Sequence, residues 1–287
     1  MSDPLDIKVA IPGGDLTIEG RSRAGNETFF TIRQLGLALD IGRCPDSLVA
    51  VPHVFVTHPH LDHSLGIPFY IAQRRLQGLD PGHIYVPADT VDSYRDLLRV
   101  HERLQNAHYE VDLVGVAAGE SVPLRRNLLV RAHRATHSVP AISWEVVEIR
   151  RKLRRQLMGH SEDEIRQIRL SGEEVADISE SSLLFYSGDT DQRIFDESPA
   201  LFESRILMLE CTFTDPNDLE RARRYTHIHL DDLEAVADRF RNEMIILTHF
   251  SLRESFKEVH RLVSDRCPEA IRARVRLALP EPWDRLT

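Results

Sequence analysis

His58, His60, Asp62 and His63 fall within six residues, directly after the apolar run Val54-Phe55-Val56-Thr57. Three imidazoles and a carboxylate gathered this closely are costly to bury without a positive partner. Divalent cations meet that need, because imidazole and carboxylate are ligands that Zn²⁺ takes readily. On an extended backbone alternate residues share a face, so His58 and His60 can enter one pocket. The turn that follows lets Asp62 and His63 reach a second position beside it. This reads as a dinuclear metallohydrolase, against the plainer alternative of a His-rich surface loop.

Further candidates stand at the ends of apolar runs. Asp189 follows Leu183 to Tyr186 in Ser-Gly-Asp-Thr, Glu210 closes Ile206 to Leu209 in Glu-Cys-Thr-Phe, and His249 follows Met244 to Leu247 in Leu-Thr-His-Phe-Ser. Ligands in α/β sheets gather at the carboxyl ends of strands, where loops converge. His137, in Ala-Thr-His-Ser-Val-Pro, supplies a third nitrogen; His133 competes, and the turn at Ser138-Val139-Pro140 favours His137. We expect His58, His60 and His137 to hold one metal, Asp62, His63 and His249 a second, and Asp189 to bridge them. Two cations roughly 3.5 Å apart lower the pKa of a shared water and offset charge on a phosphoryl oxygen. Zn²⁺ is expected, and Mn²⁺ and Fe²⁺ suit the same ligands.

A histidine oriented by a carboxylate can protonate a leaving alkoxide. Glu210 is the candidate carboxylate, and the segment Tyr225 to Asp232 offers His227 and His229. The residues alone leave these two even. Asp231 or Asp232 is expected to begin a helix that runs to about Phe240. His53, His83, His101, His108, His160 and His260 lie outside any ligand spacing.

The elements that must position these residues divide at about the middle of the chain. β-like runs come first: Ile7 to Ala10, Leu16 to Gly20, Thr28 to Ile32 and Leu37 to Asp40. Helical spacing follows at Leu65 to Leu76 and Asp89 to Leu104, and strands at Ile84 to Val86, Leu128 to His133 and Ile142 to Ile149. From about Ser161 strands alternate with helices. Between 148 and 180 lies a polar excursion that opens with five cations, Arg150, Arg151, Lys152, Arg154 and Arg155. No internal repeat is visible. The 287 residues, 42% hydrophobic and 28% charged, are ordinary for a globular α/β chain.

The net charge of -9 argues against a broad nucleic-acid surface, so RNA would need a local basic patch or the metals. No DNA partner is expected. No apolar run approaches a membrane span, and Met1-Ser2-Asp3-Pro4 lacks a secretory layout. The three cysteines, Cys44, Cys211 and Cys267, are scattered and read as reduced thiols of a cytoplasmic protein.

At this point the chain resembles the metallo-β-lactamase superfamily and, within it, short-form tRNase Z, the endoribonuclease that processes precursor tRNA at its 3′ end. The matching stretches are Thr-His-Pro-His-Leu-Asp-His-Ser-Leu-Gly at 57 to 66, His-Ser-Val-Pro-Ala at 137 to 141, Ser-Gly-Asp-Thr, Glu-Cys-Thr-Phe and Leu-Thr-His-Phe-Ser. Ala-Leu-Asp-Ile-Gly-Arg-Cys-Pro at 38 to 45 looks most like the plant-type enzymes. The resemblance implies one four-layer αβ/βα sandwich over 1–287, with metals in the cleft between two sheets. It implies that 148–180 is the arm that holds tRNA, and that the enzyme is a homodimer. It also favours His227 over His229 as the proton donor paired with Glu210, so the catalytic set is Asp62, Glu210 and His227. His229 then becomes a bystander whose loss leaves activity unchanged. Thr226 departs from the family's Gly, and Glu254 from its Tyr. Two other readings are a same-fold hydrolase of a small phosphodiester or other ester, and a catalytically silent binding protein.

Overall fold

The computed structural model describes residues 7–10 and 16–286; Met1 to Pro4 lie outside them. Strands β1 (Ile7–Ala10), β2 (Thr17–Arg23), β3 (Glu27–Ile32), β4 (Leu37–Leu39), β5 (His53–Phe55), β6 (His83–Pro87) and β7 (Asp112–Val116) form one sheet in that order. Strands β8 (Ser121–Arg125), β9 (Leu128–Arg134), β10 (Ile142–Leu153), β11 (Ala176–Tyr186), β12 (Ile206–Glu210), β13 (Met244–Thr248) and β14 (Val275–Leu277) form the other. In each sheet the first four strands pair antiparallel and the later ones parallel. The topology therefore repeats although the sequence does not.

Strand periodicity builds three apolar layers. Phe55 in β5, Leu184 and Tyr186 in β11, and Met208 in β12 face the other sheet, where they meet Trp144 and Phe30. The alternate residues face outward under helices. Val54 and Val56 pack below Ile67–Leu76 and Val91–Gln105, while Phe185, Leu207 and Leu209 pack below Leu230–Arg239 and Phe256–Arg266. Both faces of both sheets are thus buried, which gives the helix–sheet–sheet–helix order. Each fully buried large apolar side chain contributes roughly 1.5–3 kcal/mol.

Several elements differ from the sequence reading, each for a physical reason. The helix expected from Leu65 starts at Ile67, because Gly66 separates it from a short preceding helix at Leu61–Ser64. Strands β7, β8 and β14 carried no clear signal: β7 contains Gly115, β8 contains Pro123 at a register shift, and β14 has three residues. β8 lies at a sheet edge, where proline is tolerated. The excursion after Glu148 is a continuation of the sheet. Arg150 to Leu153 pair with Ala176 to Ser179 as a two-stranded ribbon that carries the helix Glu162–Leu170. Ser161 and Glu164 close that helix with a capping box.

The segment at Leu230–Arg239 is a 3-10 helix, and neither Asp231 nor Asp232 begins it. His229 is the cap: its Nδ1 accepts the Asp231 N–H at 3.1 Å, and its Nε2 donates to the Asp215 carbonyl at 2.8 Å. The ring is fully buried. His229 is therefore held as a structural cap, outside the His/Asp cluster.

Candidate metal centre

Loops after β4, β5, β11, β12 and β13, with the β9–β10 turn, meet in one cleft between the sheets. His58 Nε2 lies 3.1 Å from His60 Nδ1, and His137 Nε2 lies 3.3 Å from the same atom. His63 Nε2 and His249 Nε2 are 3.2 Å apart, and Asp62 Oδ2 is 3.6 and 3.5 Å from them. Asp189 stands between the two groups. Its carboxylate oxygens lie 3.6 Å from His58, 3.4 Å from His63, 3.3 Å from His249 and 4.0 Å from His137. The seven residues picked out in the sequence are thus in one place, in two groups, with Asp189 against both.

Glycine makes this meeting possible. Gly188 has φ +57°, and a Cβ there would lie 2.6 Å from the Thr57 side chain. Only a residue without Cβ lets the β11 loop come this close to the β5 loop and bring Asp189 beside His58.

The outer nitrogens fix the tautomers. Thr57 Oγ1 gives its one proton to Asp40, at 3.0 Å, so it must accept from His58 Nδ1, also at 3.0 Å. His63 Nδ1 donates to Asp40 Oδ2 at 2.7 Å, and His137 Nδ1 to the Thr226 carbonyl at 3.0 Å. Thr212 Oγ1 donates to Glu210 Oε2 at 2.7 Å and therefore accepts from His249 Nδ1 at 2.9 Å. Each neutral ring then turns an Nε2 lone pair into the cleft. Two such lone pairs 3.2 Å apart repel unless a proton on His63 or a metal ion lies between them. Asp189 Oδ1 is buried with no hydrogen-bond donor, so it too has an unused lone pair. This donor set fits divalent cations of the Zn²⁺ type.

The field in the cleft favours positive charge. Burial alone lowers His63, yet Asp189, Asp40 and Asp62 outweigh it and push the ring up to about 10. Burial opposes ionisation of Asp62 and Asp189 as well, but the facing imidazoles hold both well below the usual carboxylate range. His58, His60 and His137 are lowered, by burial first and by neighbouring rings next.

Beside the His/Asp cluster, His227 Nδ1 bonds Glu210 Oε1 at 2.8 Å. Glu210 also accepts the backbone N–H groups of Thr190, Thr212 and Ile228, which fix its plane. Burial works against protonation of His227, but the Glu210 charge and hydrogen bond raise it to about 9. Thr226, where the family carries Gly, takes φ 56°, ψ 56°, a left-handed conformation that Gly adopts without strain. The loop keeps that shape and offers its carbonyl to His137.

His133 is not in the cleft set; its Nε2 is bound to Glu145 Oε2 at 2.7 Å. Residues the sequence reading missed are the supports Asp40, Thr57, Tyr186 and Thr212. Asp40 is fully buried and accepts from His63, Thr57 and, at 2.7 Å, the Tyr186 hydroxyl. Its position at the end of β4, in the same kind of place as Asp189, was the available signal.

Residues 27–250 match the family model described as a β-lactamase superfamily domain. The tRNase Z TRZ1 of Arabidopsis thaliana is 34% identical over 263 residues, 91% of this chain and 94% of that protein. The chloroplastic tRNase Z TRZ2 of the same plant is 32% identical, over 86% of this chain and 70% of its own. The crystal structure of human short-form tRNase Z superposes with a TM-score of 0.56 at 19% identity, covering 98% of this chain and 95% of that one. The chain belongs to the tRNase Z family of the metallo-β-lactamase superfamily.

Proposed function

We propose that this protein is a metal-dependent endoribonuclease that removes 3′ extensions from precursor tRNA. The observation that carries the reading is a Glu210–His227 pair, 2.8 Å apart, set beside a two-group His/Asp cleft in a chain of this family. His58, His60 and His137 hold one cation and Asp62, His63 and His249 another, with Asp189 shared; zinc suits these ligands. When bound, the cations supply Lewis acidity toward a phosphoryl oxygen and make water a nucleophile at neutral pH.

The chain's own residues do the rest. Glu210 holds the Nδ1 proton of His227, which leaves Nε2–H as the group able to protonate the leaving ribose oxygen. Asp40 and Thr212 keep the His63 and His249 rings in the tautomer that presents Nε2. Arg150 to Arg155 start the ribbon, and with its helix they form the arm at 148–180 that grips RNA, on a single domain spanning 1–287.

Two further parts of the reading concern assembly and place. Leu61, Leu65 and Phe69 recur every four residues across the junction of the helices Leu61–Ser64 and Ile67–Leu76 and are 69%, 52% and 46% exposed. A two-fold homodimer would cover that stripe. The cysteines are buried and unpaired, as in a reducing compartment such as the cytoplasm. Among the described residues no helix is long and apolar enough to cross a membrane.

The test is incubation of metal-loaded protein with a 3′-extended precursor tRNA and with bis-p-nitrophenyl phosphate, before and after chelation. Metal-dependent cleavage at the mature 3′ end is the expected result. Hydrolysis of the small ester alone would replace the RNA reading with that of a small-molecule phosphodiesterase.

A further inference from the structure

His137 forms a wall shared by two spaces. On one side is the metal-ligand set; on the other is a cavity of about 490 Å³, within the size range of small-molecule sites. It is bounded by Pro87 to Asp89, Val116 to Ala118, Arg134 to His137 and Val139 to Ile142. Its walls are made by small side chains, among them Ala88, Ala118, Ala135 and Pro140. A run of small residues on three loops leaves an open hollow of mixed polar and apolar lining where larger ones would have closed it.

The rim is polar and unevenly committed. Arg193 is taken up by Asp191, with contacts of 2.6 and 3.0 Å, and Glu197 accepts the Thr136 hydroxyl at 2.8 Å. Arg134 and Asp89, both exposed, have no side-chain partner among the described residues. One free guanidinium and one free carboxylate therefore stand at the mouth of an open hollow, with small apolar side chains in its walls, that adjoins the reacting centre.

We infer that this hollow receives one nucleoside of the RNA strand next to the scissile phosphate. The inference rests on the reading above that RNA is the substrate. A base is flat and apolar on its faces and has hydrogen-bonding edges, which matches small apolar walls under a polar rim. Arg134 meets the strand's phosphate, and Asp89 accepts from an exocyclic amine of the base. A phosphate held at the metal-ligand set places its neighbouring nucleoside on one side or the other of His137, and this is the side with room. Neither Arg134 nor Ala118 touches the metal-ligand set.

The experiment uses the metal-loaded full chain and two variants, Arg134→Glu and Ala118→Trp. Steady-state constants are measured on 3′-extended tRNA and on bis-p-nitrophenyl phosphate, with metal content as a control. Both variants should raise KM for RNA by about tenfold, the effect of losing one bound base, and leave small-ester turnover and metal content unchanged. Unchanged KM for RNA in both variants overturns the inference, as does an equal loss on both substrates. Equilibrium dialysis with cytidine 5′-monophosphate and ribose 5-phosphate isolates the base itself. The wild type should bind the nucleotide more tightly, and Ala118→Trp should abolish the difference; no difference in the wild type counts against the hollow. Failure of the RNA reading shows separately, as wild-type protein that binds the nucleotide in this base-dependent way yet leaves precursor tRNA uncut.

Discussion

Glu210 and His249, which follow one another across two neighbouring parallel strands, share a single hydroxyl. Thr212 Oγ1 donates to Glu210 at 2.7 Å and accepts from His249 at 2.9 Å. The proposed proton donor pair and the metal-ligand set are therefore one hydrogen-bonded unit, although they perform separate tasks. Variants must be scored on metal content and chemistry together.

His227→Ala should retain both metals and slow RNA cleavage by roughly 10²- to 10⁴-fold, the range of general acid catalysis. The deficit should shrink on p-nitrophenyl esters, whose phenolate leaves without a proton. Glu210→Gln should behave alike but more mildly, since it weakens the orientation of His227 without removing it. Metal analysis and turnover on both substrates check this. Loss of metal from His227→Ala would make it a ligand, a role its place beside Asp189 and His249 makes the natural competitor.

Asp189→Ala should be more damaging than removal of any one histidine. It deletes the carboxylate that lies against both groups and leaves two cation positions facing each other with less negative charge between them. The expected outcome is loss of at least one metal and near-complete loss of hydrolysis. Two metals per chain with normal turnover would rule out the shared role.

His229→Ala should lower stability by about 1–2 kcal/mol, as for loss of a helix cap, while folded protein keeps its metals. Urea denaturation of the metal-loaded chain reads this. A midpoint equal to wild type would mean that the cap in the structure carries no weight.

How far the sequence reached is instructive at this residue. The cleft was legible because ligand chemistry is local in type: His58 to His63 are six residues, and Asp189, Glu210 and His249 each close an apolar run. The supports were less so. Asp40 acts through a left-handed turn at φ 55° and a contact with Tyr186, far away in sequence. His229 stood level with His227 as a proton donor because a capping imidazole and a proton-donating one share the same letter. Likewise the antiparallel start of each sheet was visible as alternation, whereas β14 is too short to produce any.

Glu254 gives a pH-dependent test away from the metals. Burial, then the charge of Asp218, raises its carboxyl above the ordinary 4.5, and Oε2 is buried without a donor. A raised acid favours folding most below its unfolded value and loses that contribution as pH rises through the folded value. Glu254→Gln should therefore gain stability over wild type as pH rises from about 5 to 8, by less than about 1 kcal/mol once solvent screening is allowed for. Thermal melts in which the difference stays flat across that interval would refute it.

Phe69→Glu should convert the proposed homodimer to monomer by placing a charge in the Leu61, Leu65 and Phe69 stripe. Light scattering of wild type and variant decides this. A wild type already monomeric at micromolar concentration would end the dimer proposal.

The division of the ligand set between the sheets has a mechanical consequence. His58, His60, Asp62 and His63 follow β5, whereas His137, Asp189 and His249 come from the opposite sheet. Each proposed cation position draws on both, so an ion held there would act as a clasp across the sandwich. Because only the closed sandwich offers the complete grip, occupancy adds to resistance against opening in proportion to the logarithm of metal concentration over its dissociation constant. On the proposed ligand set, metal supply would set how tightly the two leaves of this protein are held shut, as well as whether it can react.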